Sequence, residues 1–197
     1  MESLQIKPLE ERYLQDVVRI HLDGLGYTFN SRLGLDHLSF MYRAMAQHDE
    51  SYVGVALLSN QPVGVISGTV NMDKTKTVLL NSFKPQQWGN LVLNIFKQPF
   101  LIGEWWKGNI IGRELNFEGK TVHPILTTIV VDASFHAKGI GRRLVDDLEC
   151  FFKQKNIDYY RLDTLVTNHS AREFYKSLGY REVETRADSV VYIKRIQ

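Results

Sequence analysis

The chain has 197 residues, 44% of them hydrophobic and 23% charged, which fits a soluble globular protein of one large or two small domains. Its net charge of +2, with both signs interspersed, gives no basic field and argues against nucleic acid as a partner. One cysteine, Cys150, excludes an internal disulfide framework and a thiolate metal cluster.

The first residues, MESLQIKPLEERYLQDVV, lack the basic-then-apolar pattern of a signal peptide. The most apolar later stretch, LVLNIFKQPFLIGEWW, is interrupted by Asn94, Lys97, Gln98, Pro99 and Glu104 and is too short and polar to span a bilayer. A cytoplasmic protein with no membrane span is expected. The six histidines show no metal-ligand spacing, so no metal site is expected.

In chain order, LQIKPL reads as a short strand. Leu14, Val17, Val18, His21 and Leu25 recur at helical spacing, with Gly24 and Gly26 ending the run. Tyr27–Leu35 reads as a loop, and Leu38, Met41, Tyr42 and Met45 mark a second amphipathic helix. SYVGVALL and VGVISGTV, joined by Ser59–Pro62, read as a hairpin in which Gly54, Gly64 and Gly68 suggest bulges or close ligand approach. Residues 72–121 read as an insertion between the third and fourth strands. Within it Trp88, Leu91, Val92, Ile95 and Phe96 form a helical stripe, and its apolar surface fits packing on its own domain better than a lid or a dimer contact.

From Val122 the pattern sharpens. ILTTIVV is a strand rich in β-branched residues, and Ile140, Leu144, Val145, Leu148, Phe151 and Phe152 give a helix one broad apolar face. Cys150 reads as a packed thiol rather than a nucleophile. DYYRLDTLV is another strand, SAREFYKSLGY a short helix stopped by Gly179, and REVETR and SVVYIKRI close the chain. Strand, glycine turn, helix and strand make a right-handed βαβ unit.

The turn of that unit, HAKGIG, opens a helix. Such a helix start offers unpaired amides and the positive end of the dipole, suited to phosphate. Gly139 and Gly141 permit positive φ and close approach, while Lys138, Arg142 and Arg143 add charge. A plain connection with solvated basic residues is the alternative. A Walker A loop is excluded, because no Lys-Ser/Thr follows. A Rossmann turn lacks its third glycine, Leu144 standing there, although Asp163 falls near the distance of a ribose-binding acid.

His136-Ala-Lys-Gly139-Ile-Gly141 resembles the Arg/Gln-x-x-Gly-x-Gly/Ala loop of the GNAT superfamily of acyl-CoA-dependent N-acyltransferases. Downstream, Asn168-His-Ser-Ala171-Arg-Glu-Phe174-Tyr175-Lys-Ser-Leu-Gly179-Tyr180 resembles its Asn-x-x-Ala-x-x-Phe-Tyr-x-x-x-Gly-Phe/Tyr signature. The two blocks stand in the family's order and carry the resemblance over residues 122–197.

The resemblance implies a single α/β (α+β) GNAT domain over 1–197, with a mixed, mostly antiparallel twisted sheet flanked by helices. It implies acetyl-CoA as co-substrate and, as acceptor, the primary amine of a small molecule, peptide or protein; monomer and homodimer both stay open. The cofactor would lie along Ile129, Val130 and Val131, with the main chain of Ile129 and Val131 pairing with its pantetheine arm. The turn His136, Ala137, Lys138, Gly139, Ile140, Gly141 and Arg142 would cradle its pyrophosphate. Asn168, Ala171, Phe174 and Tyr175 would border it from the next helix, Asn168 as cap, contact or both.

Tyr175 is the implied general acid for the departing thiolate, or a member of its helix's apolar stripe, or both. Tyr27, Phe29 and Asn30 lie in the loop that borders the acceptor in the family. Two departures stand out. His136 replaces the usual Arg or Gln, and no glutamate precedes the turn, so His123 is the candidate base, with a surface histidine as the plainer reading. These departures motivate the rival reading, a catalytically silent acyl-CoA-binding or interaction module.

Overall fold

The computed structural model of the chain describes residues 3–82, 115–186 and 188–196. Strand β1 (Leu4–Pro8) leads through a 3-10 turn into helix α1 (Leu14–Leu25), whose Leu14, Val17, Val18 and His21 are buried as their spacing requires. A four-residue helix, α2 (Phe29–Arg32), precedes α3 (Leu35–Ala46), which buries Leu38, Met41, Tyr42 and Met45. The loop expected over Tyr27–Leu35 therefore contains a helical turn. Its cause is polar: the Thr28 and Ser31 hydroxyls both donate to the Leu25 carbonyl, at 2.9 and 2.7 Å, and hydrophobic periodicity does not register such bonds.

Strands β2 (Ser51–Leu58) and β3 (Gln61–Thr69) form the expected hairpin. The turn is Ser59–Asn60 alone, with φ of 50° and 63°, so Gln61 and Pro62 already belong to β3. Two residues of positive φ match the strand twist that a tight hairpin needs. Helix α4 (Met72–Asn81) follows, capped by Asn71, whose side chain accepts from Asp73 N and Lys74 N. The helical stripe expected over Trp88–Phe96 lies outside the described residues. The ribbon β4 (Leu115–Phe117) and β5 (Lys120–Val122) closes the segment.

Then come β6 (Ile125–Val131), α5 (Ile140–Gln154), β7 (Tyr159–Leu165), α6 (His169–Ser177), β8 (Arg181–Thr185) and β9 (Ser189–Arg195). The main sheet runs β1-β2-β3-β6-β7-β9-β8, antiparallel except where β6 meets β7.

Alternation along the strands sends side chains to two cores. On one face Leu144, Leu148 and Phe152 of α5 pack with Ile66, Tyr160, Leu162 and Tyr175. On the other, Val17 and Val18 of α1 and Leu38 and Tyr42 of α3 pack with Val53, Val55, Val65 and Val130. Each fully buried aliphatic side chain contributes roughly 1.5–3 kcal/mol by leaving water.

The glycines of the hairpin serve the first core rather than a ligand. A Cβ would fall 2.8 Å from Asp147 Oδ2 at Gly54, 3.2 Å from Leu144 Cδ1 at Gly64 and 2.8 Å from Leu148 Cδ1 at Gly68. Helix α5 lies directly on the hairpin, leaving no room for side chains there. Cys150, on the outer side of α5, is exposed and not the packed thiol expected, since Leu148 and Phe152 take the inward positions of that turn.

Candidate active site at the parting of two parallel strands

Strands β6 and β7 share one register pair, Ile125 with Arg161, backed by a 3.0 Å bond from Arg161 N to Pro124 O. Beyond it they diverge. Asp132 N bonds to Val63 O of β3 at 2.9 Å, so by alternation the peptides of Ile129 and Val131 face away from β3, towards β7. These are the main-chain groups expected along the cofactor arm. Val130 alternates the other way, into the core beside α1.

The glycine turn stands at the end of β6. Asp132 accepts from Ser134 N at 2.8 Å, and the chain then passes through Ala137 and Gly139 with φ of 59° and 74°. A Cβ at Gly139 would meet no described residue within 4 Å, so the backbone there faces open space. The first helical bond of α5 runs from Arg143 N to Gly139 O at 3.3 Å, which leaves the amides of Ile140, Gly141 and Arg142 before it. Open space, a helix start and two left-handed residues together suit an anionic diphosphate.

The two glycines divide the work differently from expectation. Gly141 lies inside α5, outside the set of residues with positive φ, and a Cβ on it would sit 3.0 Å from the Phe174 ring. Its smallness lets α6 come close. The second left-handed residue is Ala137, which no composition rule marks, since alanine rarely adopts that conformation.

Two basic side chains of the turn, Lys138 and Arg142, have local partners. Lys138 Nζ sits 4.7 Å from the centre of the Phe135 ring, and the Arg142 guanidinium donates to Ser177 O at 3.4 Å. His136 also has a local partner: its Nε2 donates to Val131 O at 2.8 Å.

Helix α6 supplies the other wall. Asn168 accepts from Ala171 N at 3.1 Å, so it caps the helix, and Ala171 and Phe174 pack against the α5 core. Tyr175 is buried, its ring against Phe174, Tyr180 and Tyr192 at centroid separations of 5.5, 5.3 and 6.0 Å. Burial, and after it the neighbouring Tyr27 phenol, push the Tyr175 hydroxyl well above the usual tyrosine range. Tyr27 is exposed, and its influence on Tyr175 brings the loop after α1 near this wall. Phe29 is half-buried and Asn30 exposed, with Asn30 Oδ1 3.4 Å from His37 Nε2.

His123 does not join the group. It is exposed and lies upstream of Ile125, on the side where β6 and β7 still pair. The parting strands, the open glycine turn at the start of α5 and the capped α6 with its buried tyrosine are the candidate elements of the site.

The sequence profile of the Acetyltransferase (GNAT) family matches residues 14–180, spanning α1 to the start of β8. The chain belongs to this family. It is therefore an acyl-CoA-dependent acyltransferase by family, and GNAT acetyltransferases use acetyl-CoA.

Solved structures agree in fold. PH1933 from Pyrococcus horikoshii superposes with a TM-score of 0.60 at 19% identity, covering 99% of both chains. The ribosomal-protein-S18-alanine N-acetyltransferase from Escherichia coli gives 0.61 at 14% identity, covering 99% of this chain and 95% of that one. The PaiA N-acetyltransferase of Thermoplasma acidophilum, in complex with coenzyme A, gives 0.58 at 13% identity over 98% and 99%. No curated protein matches the chain in sequence. Among the described residues no helix is long and apolar enough to cross a membrane, and no group of three His, Cys, Asp or Glu side chains could hold a metal ion.

Proposed function

We propose that this GNAT protein moves an acetyl group from acetyl-CoA to a primary amine by direct attack of the amine on the thioester. The observation that carries the reading is the single Ile125–Arg161 pair, beyond which β6 turns its Ile129 and Val131 peptides towards the parting. An extended arm with amides could pair there as a strand pairs, while the amides of Ile140, Gly141 and Arg142 meet its diphosphate.

Each remaining requirement of the chemistry has a candidate. A peptide N–H on the β6 lip is fixed by the strand before charge develops on the thioester oxygen, which is how a preorganised donor lowers a barrier. Tyr175, buried and held protonated, can deliver a proton to the leaving thiolate. Tyr27, beside Tyr175, brings the loop after α1 to the acceptor side.

Titration calorimetry with CoA, followed by thiol release from acetyl-CoA across a panel of alkylamines, polyamines, amino sugars and peptides, tests the reading. Binding with turnover of at least one amine is the expected result. Tight binding with no turnover on any of them would favour a silent acyl-CoA-binding module.

A further inference from the structure

Side chains on β7 alternate between the two faces of the sheet. Tyr160 and Leu162 enter the core under α5 and α6, and Arg161 and Asp163 take the opposite face. Both charged side chains are covered, only 4% and 7% exposed, and Arg161 donates to Asp163 Oδ2 at 3.4 Å. The other carboxylate oxygen, Asp163 Oδ1, is buried and has no hydrogen-bond partner among the described residues. Leaving a buried acceptor unmade is costly, so a strand that keeps one needs a reason.

Position supplies it. Asp163 stands two residues beyond Arg161, the last residue of β7 that pairs with β6. The Arg161 amide faces β6, so by alternation the Asp163 peptide faces the parting as well. Its side chain lies on the face opposite α5, whose N-terminal turn is the cofactor's entrance. A thioester carbonyl held between the strands presents its two sides to the two faces of the sheet, and Asp163 stands on the face that α5 and α6 leave uncovered.

Among the described residues, the charged groups around Asp163 are Arg161 on its own strand and Glu184 and Arg186 at the end of β8, with Asp73 of α4 acting on Arg161. Burial raises the Asp163 carboxyl above the usual aspartate range against the opposing pull of Arg161 and Arg186. A base of that kind is better matched to an amine than an ordinary aspartate.

Resting on the acetyltransferase reading, we propose that Asp163 is the carboxylate that receives the acceptor as an ammonium and takes its proton. The ammonium sheds two protons in the course of the reaction. One passes to Asp163 Oδ1 and on to solvent. The nitrogen then bonds to the acyl carbon and the C–S bond breaks. The second proton, released as the adduct collapses, replaces the one Tyr175 gives to the thiolate.

Asp163→Asn keeps the shape and an acceptor for Arg161. It is expected to lower kcat about 100-fold near neutral pH with KM for acetyl-CoA unchanged, and the gap should narrow as pH approaches the amine's own pKa. A kcat within about twofold of the parent at all pH values, or a rise in KM for acetyl-CoA that accounts for the loss, overturns the assignment. A second measurement needs no turnover. In CoA-loaded protein carrying 13C-carboxyl aspartate, the signal that disappears in Asp163→Asn, or in Asp163→Glu should the first variant not fold, is followed while the amines of the panel are added. Movement of that signal supports the proposal, and a signal that no amine moves overturns it. Absence of turnover in the parent protein counts against the transferase reading alone.

Discussion

The imidazole of His136 holds the carbonyl of Val131, Nε2 to O at 2.8 Å, and so ties the end of β6 to the turn five residues later. The tie spans the segment that leads into Ala137 and Gly139, and it engages a main-chain acceptor on the lip of the parting. An arginine or glutamine, which the family motif that the turn resembles carries there, would be longer. We expect His136→Ala to leave the fold intact and to weaken CoA binding by about 3- to 10-fold, the worth of one hydrogen bond, as read by calorimetry. Unchanged affinity would show that the turn holds its shape without the tie.

Gly139 and Gly141 should respond oppositely to alanine. At Gly139 a side chain meets open space but must adopt a φ of 74°, costing about 1–2 kcal/mol, and it intrudes where the diphosphate would lie. Gly139→Val is expected to abolish CoA binding in a folded protein, and Gly139→Asn to retain part of it, because asparagine tolerates that conformation better. At Gly141 the backbone is helical and the obstacle is the Phe174 ring at 3.0 Å, so Gly141→Ala should shift α6 slightly and lower the melting temperature while CoA still binds. Retained CoA affinity in Gly139→Val would remove the turn from the cofactor site.

Tyr175→Phe should reduce kcat by about 10- to 100-fold with little change in KM for acetyl-CoA, since the ring packing is kept and the proton is lost. The pH profile carries the sign. An acid works while protonated, and burial with Tyr27 nearby raises the Tyr175 phenol, so its protonated range extends upward. The parent enzyme should show no alkaline loss of kcat near the ordinary tyrosine pKa, and a loss there would argue against Tyr175 as the acid.

His21 on α1 is 2% exposed, with Nδ1 2.6 Å from the Tyr42 hydroxyl, and burial lowers its pKa from 6.5 to about 4. The folded state keeps it neutral while the unfolded chain protonates it below 6.5. Stability should therefore fall as pH drops from 6.5 towards 4, by on the order of 3 kcal/mol from this residue. His37, lowered in the same direction by burial, adds to the slope. Melting curves of His21→Phe should be flatter over that window than those of the parent; parallel curves would mean that other groups set the acid limb.

The C-terminal half was legible because its signals are local. Glycine placement, the Asn168 cap and the apolar stripe of α5 each depend on residues a few positions apart. The stripes of α1 and α3 likewise matched their buried faces. What escaped depends on chain brought from far away. The burial of Asp163 requires β7 to lie between β6 and β9, and the alternation Tyr160, Arg161, Leu162, Asp163 reads equally well as a strand with one wet face. The Val131 contact of His136 and the use of Gly54, Gly64 and Gly68 as a bed for α5 appear only once helix and sheet are docked. Ala137 was silent because its left-handed backbone is imposed by the turn rather than by residue type.

One rung, Ile125 to Arg161, joins two plates: β1, β2, β3 and β6 on one side, and β7, β9 and β8 on the other. Helix α5 straps them together, its Leu144 and Leu148 resting on the first plate's hairpin while the Phe152 ring lies tilted 5.1 Å from that of Tyr160 in the second. A sheet built this way is weakest along that seam. A substrate arm bound as proposed would bridge the seam and stiffen the molecule, so that catalysis and mechanical cohesion would be two readings of the same contact.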